Sequence, residues 1–269
     1  MNQTDLMSRL LRYTNNNYKK DLNYEIALQL LINFQKIPEL SISEAAELCF
    51  VSNASISRFV RHFGFAGFTD FKEAAKKSLR IDTDYSKEIT KADKENLDPI
   101  YRQYTDEIIE NLNFAYENLD FEQLDRICEI IQKAPEVCLF GLEFSMLMGQ
   151  HFQSRMAMMN KLVRIGLTSE QQEEIARNLP QDSVVLIATM EGGYFYRNSE
   201  IIDILKQKKI KCITITMHPD YKIMDLADEI LLCGKYNNNT EGRISLLYLI
   251  EMLIMHYRIF VYQIDEPIE

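Results

Sequence analysis

No CxxC pair occurs among the five cysteines, Cys49, Cys128, Cys138, Cys212 and Cys233. They are scattered and mostly embedded in apolar runs, so the sequence offers neither a zinc cage nor a disulfide framework, and they read as buried reduced thiols. No run of about 18 uncharged apolar residues appears, which argues against a membrane span. The first five residues are polar and lack the core of a secretory leader, so a cytoplasmic protein is expected. A glycine-rich Walker loop, paired zinc ligands and a Ser/His/Asp arrangement are missing as well. Glu191, Glu241 and His218 are general bases by residue type only. Accordingly no catalytic residue, no metal and no cofactor is expected.

What the chain does have is an excess of acid, unevenly spread. The formal net charge is −10 over 269 residues. Residues 1–84 carry 11 Lys/Arg against 10 Asp/Glu, and the remainder carries 19 against 30. Within 50–80 the basic residues are Arg58, Arg61, Lys72, Lys76, Lys77 and Arg80, opposed only by Asp70 and Glu73. Local charge, not the total, attracts phosphates. An acidic remainder limits non-specific binding to nucleic acid.

The basic stretch has helical grammar. Ile56, Phe59, Val60 and Phe63 recur at i, i+3, i+4 and i+7, which makes one face of a short helix apolar. Ala54, Ser57, Arg58 and Arg61 fall on the opposite face, flanked by Ser55 and His62. Ser52 stands at the N-cap position and Gly64 at the C-terminal stop. Upstream, Ser41 and Glu44 have capping-box spacing at the start of a helix carrying Ala45, Ala46 and Leu48. Two short helices joined by a tight turn, the second with a cationic outer face, form a helix-turn-helix pattern. The competing reading is an ordinary helical hairpin.

The stretch resembles the N-terminal domain of RpiR-type transcription regulators, in which a helix-turn-helix precedes a sugar-isomerase (SIS) domain. The matching residues are Ser41-Ile42, Ala46, Val51-Ser52, Ile56, Arg58-Phe59, the run Gly64-Phe65-Ala66-Gly67-Phe68, and Phe71-Lys72. The resemblance implies DNA binding through Ser52, Asn53, Ser55, Ser57, Arg58, Arg61 and Lys72. Asn53, Ser55 and Ser57 would lie near base edges, Arg58 on bases or phosphates, and Arg61 and Lys72 on phosphates. One position departs: Phe50 stands where the family's turn usually has glycine. A phenylalanine with positive φ is strained, so the turn is expected to take another geometry or to point Phe50 inward.

The length suggests two domains: a helical one over 1–79, a charged linker over 80–98, and a third segment over 99–269. The last opens with helices at 99–118 and 121–133. Strands at 137–140, 162–167, 183–189, 211–217 and 229–233 then alternate with helices at 147–162, 170–179, 198–208 and 244–262. Alternation of this kind implies a doubly wound parallel sheet with helices on both faces. Ligands of such sheets sit beyond the carboxyl ends of the strands, here in the loops 141–145, 189–194 and 216–221.

Those loops resemble the SIS fold. That family's Gly-x-Gly-x-Ser reads here Gly141-x-Glu143-x-Ser145. Its Ser-x-Ser-Gly-x-Thr reads Thr189-Met190-Glu191-Gly192-Gly193-Tyr194. Ser145, Thr189, Glu191, Gly192 and Gly193 are therefore the expected effector residues. Glu143 and Glu191 replace a glycine and a phosphate-gripping serine, which disfavours the family's usual sugar-phosphate ligand. A neutral or amino-bearing ligand, or none, stays open beside it. The resemblance implies a homodimeric or larger regulator of carbohydrate genes whose partners are an operator duplex and a carbohydrate-derived effector. The alternative is a sugar-phosphate isomerase or binding protein with an N-terminal interaction module.

Overall fold

The computed structural model describes residues 6–17, 19–79, 95 and 97–265. They divide into two compact units, with the boundary between residues 84 and 85. Most of the expected linker, 80–98, lies outside the described residues.

The first unit is helical: α1 (Leu6–Asn16), α2 (Leu22–Ile32), a 3-10 turn (Phe34–Glu39), α3 (Ile42–Leu48), α4 (Asn53–His62) and α5 (Phe68–Leu79). α2 is capped at its end by Asn33, and Pro38 sits inside the 3-10 turn that follows. Ile26, Leu30, Ile37, Ile56, Phe59 and Phe71 meet in one core and are almost wholly buried. The capping box is present: Glu44 N–H donates to Ser41 Oγ at 3.2 Å, and Ser41 N–H donates to the Glu44 carboxylate at 2.7 Å. Hydrogen bonding of the Glu44 carboxylate to the Ser41 side chain and to Ser41 N–H, with a smaller contribution from Lys72, holds that carboxyl below its usual range.

Both helices of the hairpin end in the same double-bonded stop. After α4, Gly64 N–H donates to Arg61 O and Phe65 N–H to Val60 O, at 2.9 and 3.0 Å. After α3, Phe50 N–H donates to Glu47 O and Val51 N–H to Ala46 O, at 3.0 and 2.9 Å. This motif needs a left-handed residue, usually glycine. Gly64 supplies it at φ 79° and Phe50 at φ 55°. The expectation for Phe50 is thus corrected on both counts. The turn keeps the glycine geometry with a phenylalanine in it, and the ring points outward, 89% exposed.

The second unit opens with α6 (Leu97–Glu117) and α7 (Phe121–Lys133). Pro99 lies in the first turn of α6, where a missing N–H breaks no helical bond. There follow β1 (Val137–Gly141), α8 (Glu143–Ala157), β2 (Val163–Ile165), α9 (Ser169–Asn178), β3 (Val184–Ala188), α10 (Gly193–Arg197), α11 (Ser199–Lys208), β4 (Lys211–Thr216), α12 (Tyr221–Leu226), β5 (Glu229–Leu232) and α13 (Gly242–Asp265). The strands form one parallel sheet in the order β2-β1-β3-β4-β5. Alternate residues feed two cores. Val137, Leu139, Val184, Leu186, Ile213 and Ile215 pack under α7, α8 and α13. Cys138, Phe140, Val185, Ile187 and Cys212 pack under α9, α11 and α12. Period-two alternation with both sets apolar is what a sheet covered on both faces requires.

The segment Gly242–Val261 of α13 is long and apolar enough to cross a membrane by length and composition. Here Leu246, Leu249, Ile250 and Leu253 lie in the core of the unit. All five cysteines are free and buried. Burial pushes Cys49 up to about 11 and Cys128, Cys138 and Cys233 up to about 12, so none is a ready thiolate.

Asn111 pins α6 to the loop after β5. Its fully buried amide accepts from Lys235 N–H at 2.7 Å and Tyr236 N–H at 2.9 Å, and donates to Tyr236 O at 2.8 Å. Gly234, at φ 151°, leaves no room for a Cβ, which would lie 2.9 Å from the Asn111 side chain. Asn111→Ala strands three backbone groups and is expected to cost about 3 kcal/mol, read as a lowered urea midpoint.

Candidate nucleic-acid interface and effector crevice

The hairpin presents α4 by one face and seats it by the other. Ile56, Phe59 and Val60 are buried, while Asn53, Ala54, Arg58 and Arg61 are exposed and Ser57 is half-buried. Ser52 caps the helix: its Oγ accepts from Ser55 N–H at 3.2 Å. The Arg58 guanidinium stands in solvent, tethered by one bond from Nη2 to Ser55 Oγ at 3.3 Å. Asn53 Nδ2 donates to Ser43 Oγ at 3.0 Å, which fixes the first residue of α4 against the start of α3. Lys72, on α5, is half-buried and close enough to Glu44 to influence it.

Ser55 departs from its expected place at base edges. It is only 9% exposed, and its hydroxyl lies between Ser52 Oγ, at 3.0 Å, and Arg58. The third residue of a helix turns toward its own cap, so this hydroxyl orients the arginine and does not face outward. Sequence reading missed two groups on this unit, Ser43 and Arg9. Arg9 donates from Nη2 to the carbonyl of Phe63 and stacks over the Phe65 ring at 5.0 Å. A cation there complements the negative end of the α4 dipole. Arg9, Arg12, Tyr13, Asn16 and His62 line a 470 Å³ cleft beside it.

In the second unit, chain direction across the sheet reverses between β1 and β3, so the loops after these two strands flank the crevice where such sheets bind ligands. Gly141 ends β1 where only glycine fits: a Cβ would come within 2.6 Å of Ser145 Cβ and 3.0 Å of Ala188 O. Ser145 is buried, and its N–H donates to Leu142 O at 2.7 Å. Glu143, in the position of a family glycine, has φ 21° and an exposed side chain.

Across the crevice, Thr189 is nearly buried, and its Oγ1 accepts from Tyr194 N–H at 3.3 Å. Glu191 is exposed; Gly192 has φ 74°, and space around Gly193 is open. Tyr194 turns away from the crevice into the core beneath, fully buried, and burial drives its phenol well above the ordinary range. Met190 O accepts from Thr216 Oγ1 at 3.0 Å and from Met217 N–H at 2.8 Å, joining the loops after β3 and β4. Burial works against the ionised form of Asp220. The Tyr196 hydroxyl at 2.6 Å, the N–H groups of Ile223 and Lys222, and the Lys222 charge outweigh it and hold the carboxyl low.

Glu241, a base by residue type, is fully buried and accepts from the N–H groups of Asn238 and Asn239 at 2.6 and 2.7 Å. Arg243 lies over the Phe144 ring at 5.4 Å and brings a cation to the loop after β1. The two loops that carry the five expected effector residues follow neighbouring strands, with Gly141 paired to Ala188. The hydroxyl of Thr189 is engaged within the protein, and the side chains exposed there include two carboxylates. Among the described residues no cluster of His, Cys, Asp and Glu has metal-binding geometry.

Residues 10–81 match the helix-turn-helix domain of the rpiR family. An uncharacterised helix-turn-helix-type transcriptional regulator of Haemophilus influenzae is 25% identical over 244 residues, 85% of this chain and 82% of that protein. The structure of the Vibrio vulnificus NanR protein complexed with ManNAc-6P covers 97% of this chain and 96% of its own, with TM-score 0.52 and 17% identity. Phosphoheptose isomerase of Neisseria gonorrhoeae covers 61% of this chain and 99% of its own, with TM-score 0.53 and 14% identity. The chain therefore carries an rpiR-type helix-turn-helix over residues 10–81, and its second unit shares the parallel α/β fold of these two structures.

Proposed function

We propose that this chain, an rpiR-type helix-turn-helix protein with a SIS-like second domain, is a cytoplasmic, homodimeric transcription regulator of carbohydrate genes. The observation that carries the reading is the solvent-facing Arg58 on a helix whose other side is locked into a core. Arg58 reads bases or phosphates, Asn53 and Ser57 face base edges, Ser52 lies beside them, and Arg61 and Lys72 meet phosphates. Ser55 acts through Arg58.

The second domain holds two copies together. α8 leaves Leu147 and its C-cap Met158 exposed, α13 leaves Ile244, Met255 and Ile259 exposed, and His151 joins the two helices through Glu251 at 2.7 Å. Apolar residues in this number on two neighbouring helices suit a subunit interface. The effector is a carbohydrate derivative held at Ser145, Thr189, Glu191, Gly192 and Gly193. Glu143 and Glu191 accept hydrogen bonds from sugar hydroxyls or an amine and weaken the hold on a phosphate. We read the chain as a regulator and not as an enzyme; the buried carboxylate of Glu241, a base by residue type, is already occupied by two backbone donors.

Selection of preferred duplexes from random DNA with the full chain tests the reading. Two half-sites about one helical turn apart are the expected outcome. A single unpaired half-site would remove the dimer, and no enrichment at all would favour an isomerase-like binding protein with an interaction module.

A further inference from the structure

Phe50 is the least explained side chain in the helix-turn-helix. It holds a left-handed backbone at φ 55° in a motif that glycine fills without strain. Its ring gains no burial in return: it is 89% exposed and absent from the core that takes Cys49 on one side and Val51 on the other. A bulky apolar residue kept in a costly conformation with nothing packed against it points to a role outside the folded chain.

The topology says what meets it. In a helix-turn-helix on DNA, the first helix crosses the backbone and the N-terminus of the second enters the major groove. The turn between them lies where the backbone borders the groove. Phe50 is in that turn, two residues before the cap Ser52 and three before Asn53, which is held at the start of α4 by Ser43. Resting on the DNA-binding reading above, we infer that the Phe50 ring makes an apolar contact with the duplex at the groove edge. Its chemical partner is the thymine methyl or the adjoining deoxyribose. Such a contact adds affinity without releasing counterions, so it leaves the salt dependence of binding unchanged.

The test uses the full chain, its Phe50→Gly and Phe50→Leu variants, and the duplex selected with the parent. Phe50→Gly relieves the backbone and should raise the melting temperature, yet weaken binding about tenfold at an unchanged slope of log K against log salt. Phe50→Leu should regain most of that affinity. Replacing thymine by uracil at the half-site assigns the contact to the methyl if the Phe50-dependent part of the affinity vanishes, and to the sugar if it persists. A glycine variant that melts higher and binds as tightly as the parent overturns the contact while leaving the regulator reading intact. One that melts lower and binds worse shows that the ring packs on the protein, and overturns it too. A parent that enriches no duplex overturns both.

Discussion

Arg58→Ala is expected to weaken operator binding by about 1 to 3 kcal/mol, roughly ten- to a hundredfold, without changing thermal stability. The guanidinium is exposed and bonds to Ser55 Oγ at 3.3 Å, so removing it leaves the core of Ile56, Phe59 and Val60 untouched. Fluorescence anisotropy at fixed salt measures the loss. The salt series then sorts its cause. If Arg58 meets a phosphate, the slope of log K against log salt falls by about one. If it reads a base, the slope stays and discrimination at one position of the site relaxes. Ser55→Ala should produce a smaller loss of the same kind, because the hydroxyl sets where the arginine points. Equal binding by Arg58→Ala and the parent would remove α4 from the groove.

The second large effect concerns the effector crevice. The double substitution Glu143→Gly, Glu191→Ser restores what the family pattern carries at these positions. Two unit charges about 4 Å apart repel by about 1 kcal/mol in water and about 4 kcal/mol at an intermediate dielectric. Both glutamates are exposed, so the water-like end applies, at about fivefold per carboxylate. The double variant is therefore expected to bind a sugar phosphate about thirtyfold more tightly than the parent, measured by calorimetry. Its affinity for the unphosphorylated sugar should fall or stay level, because the acceptors for hydroxyls have gone. The glycine at 143 also releases a backbone held at φ 21°. Weaker phosphate binding by the double variant would show that these carboxylates hold the ligand through its hydroxyls and do not repel its phosphate.

The features legible in the sequence are those set by local spacing. Ile56, Phe59, Val60 and Phe63 announced the seated face of α4, and Ser41 with Glu44 its upstream neighbour's start. Gly64 and Gly141 sit where no side chain fits or where φ is positive. The five strands were read within a few residues, because alternate residues of each fill two separate apolar cores.

What stayed hidden depends on contacts that spacing does not encode. Arg9 reaches a carbonyl 54 residues away, and Asn111 reaches the backbone of a loop 124 and 125 residues away. Ser55 was misplaced because helical periodicity puts it at the edge of the polar face, whereas its bond to the cap draws it inward. Tyr194 occupies a ligand motif by sequence but serves the core, since the turn at Gly192 carries it under the sheet. Phe50 was legible as an anomaly. Its outward ring was not, because either packing inward or changing the turn would have been the cheaper solution.

The central claim, that a cationic helix in this chain grips duplex DNA, is tested most directly by binding the full chain to its selected duplex across a salt series. A linear fall of log K with log salt, with a slope of about −0.9 for each phosphate engaged and several phosphates in all, is the predicted result. A flat line, or no binding at any salt, contradicts it.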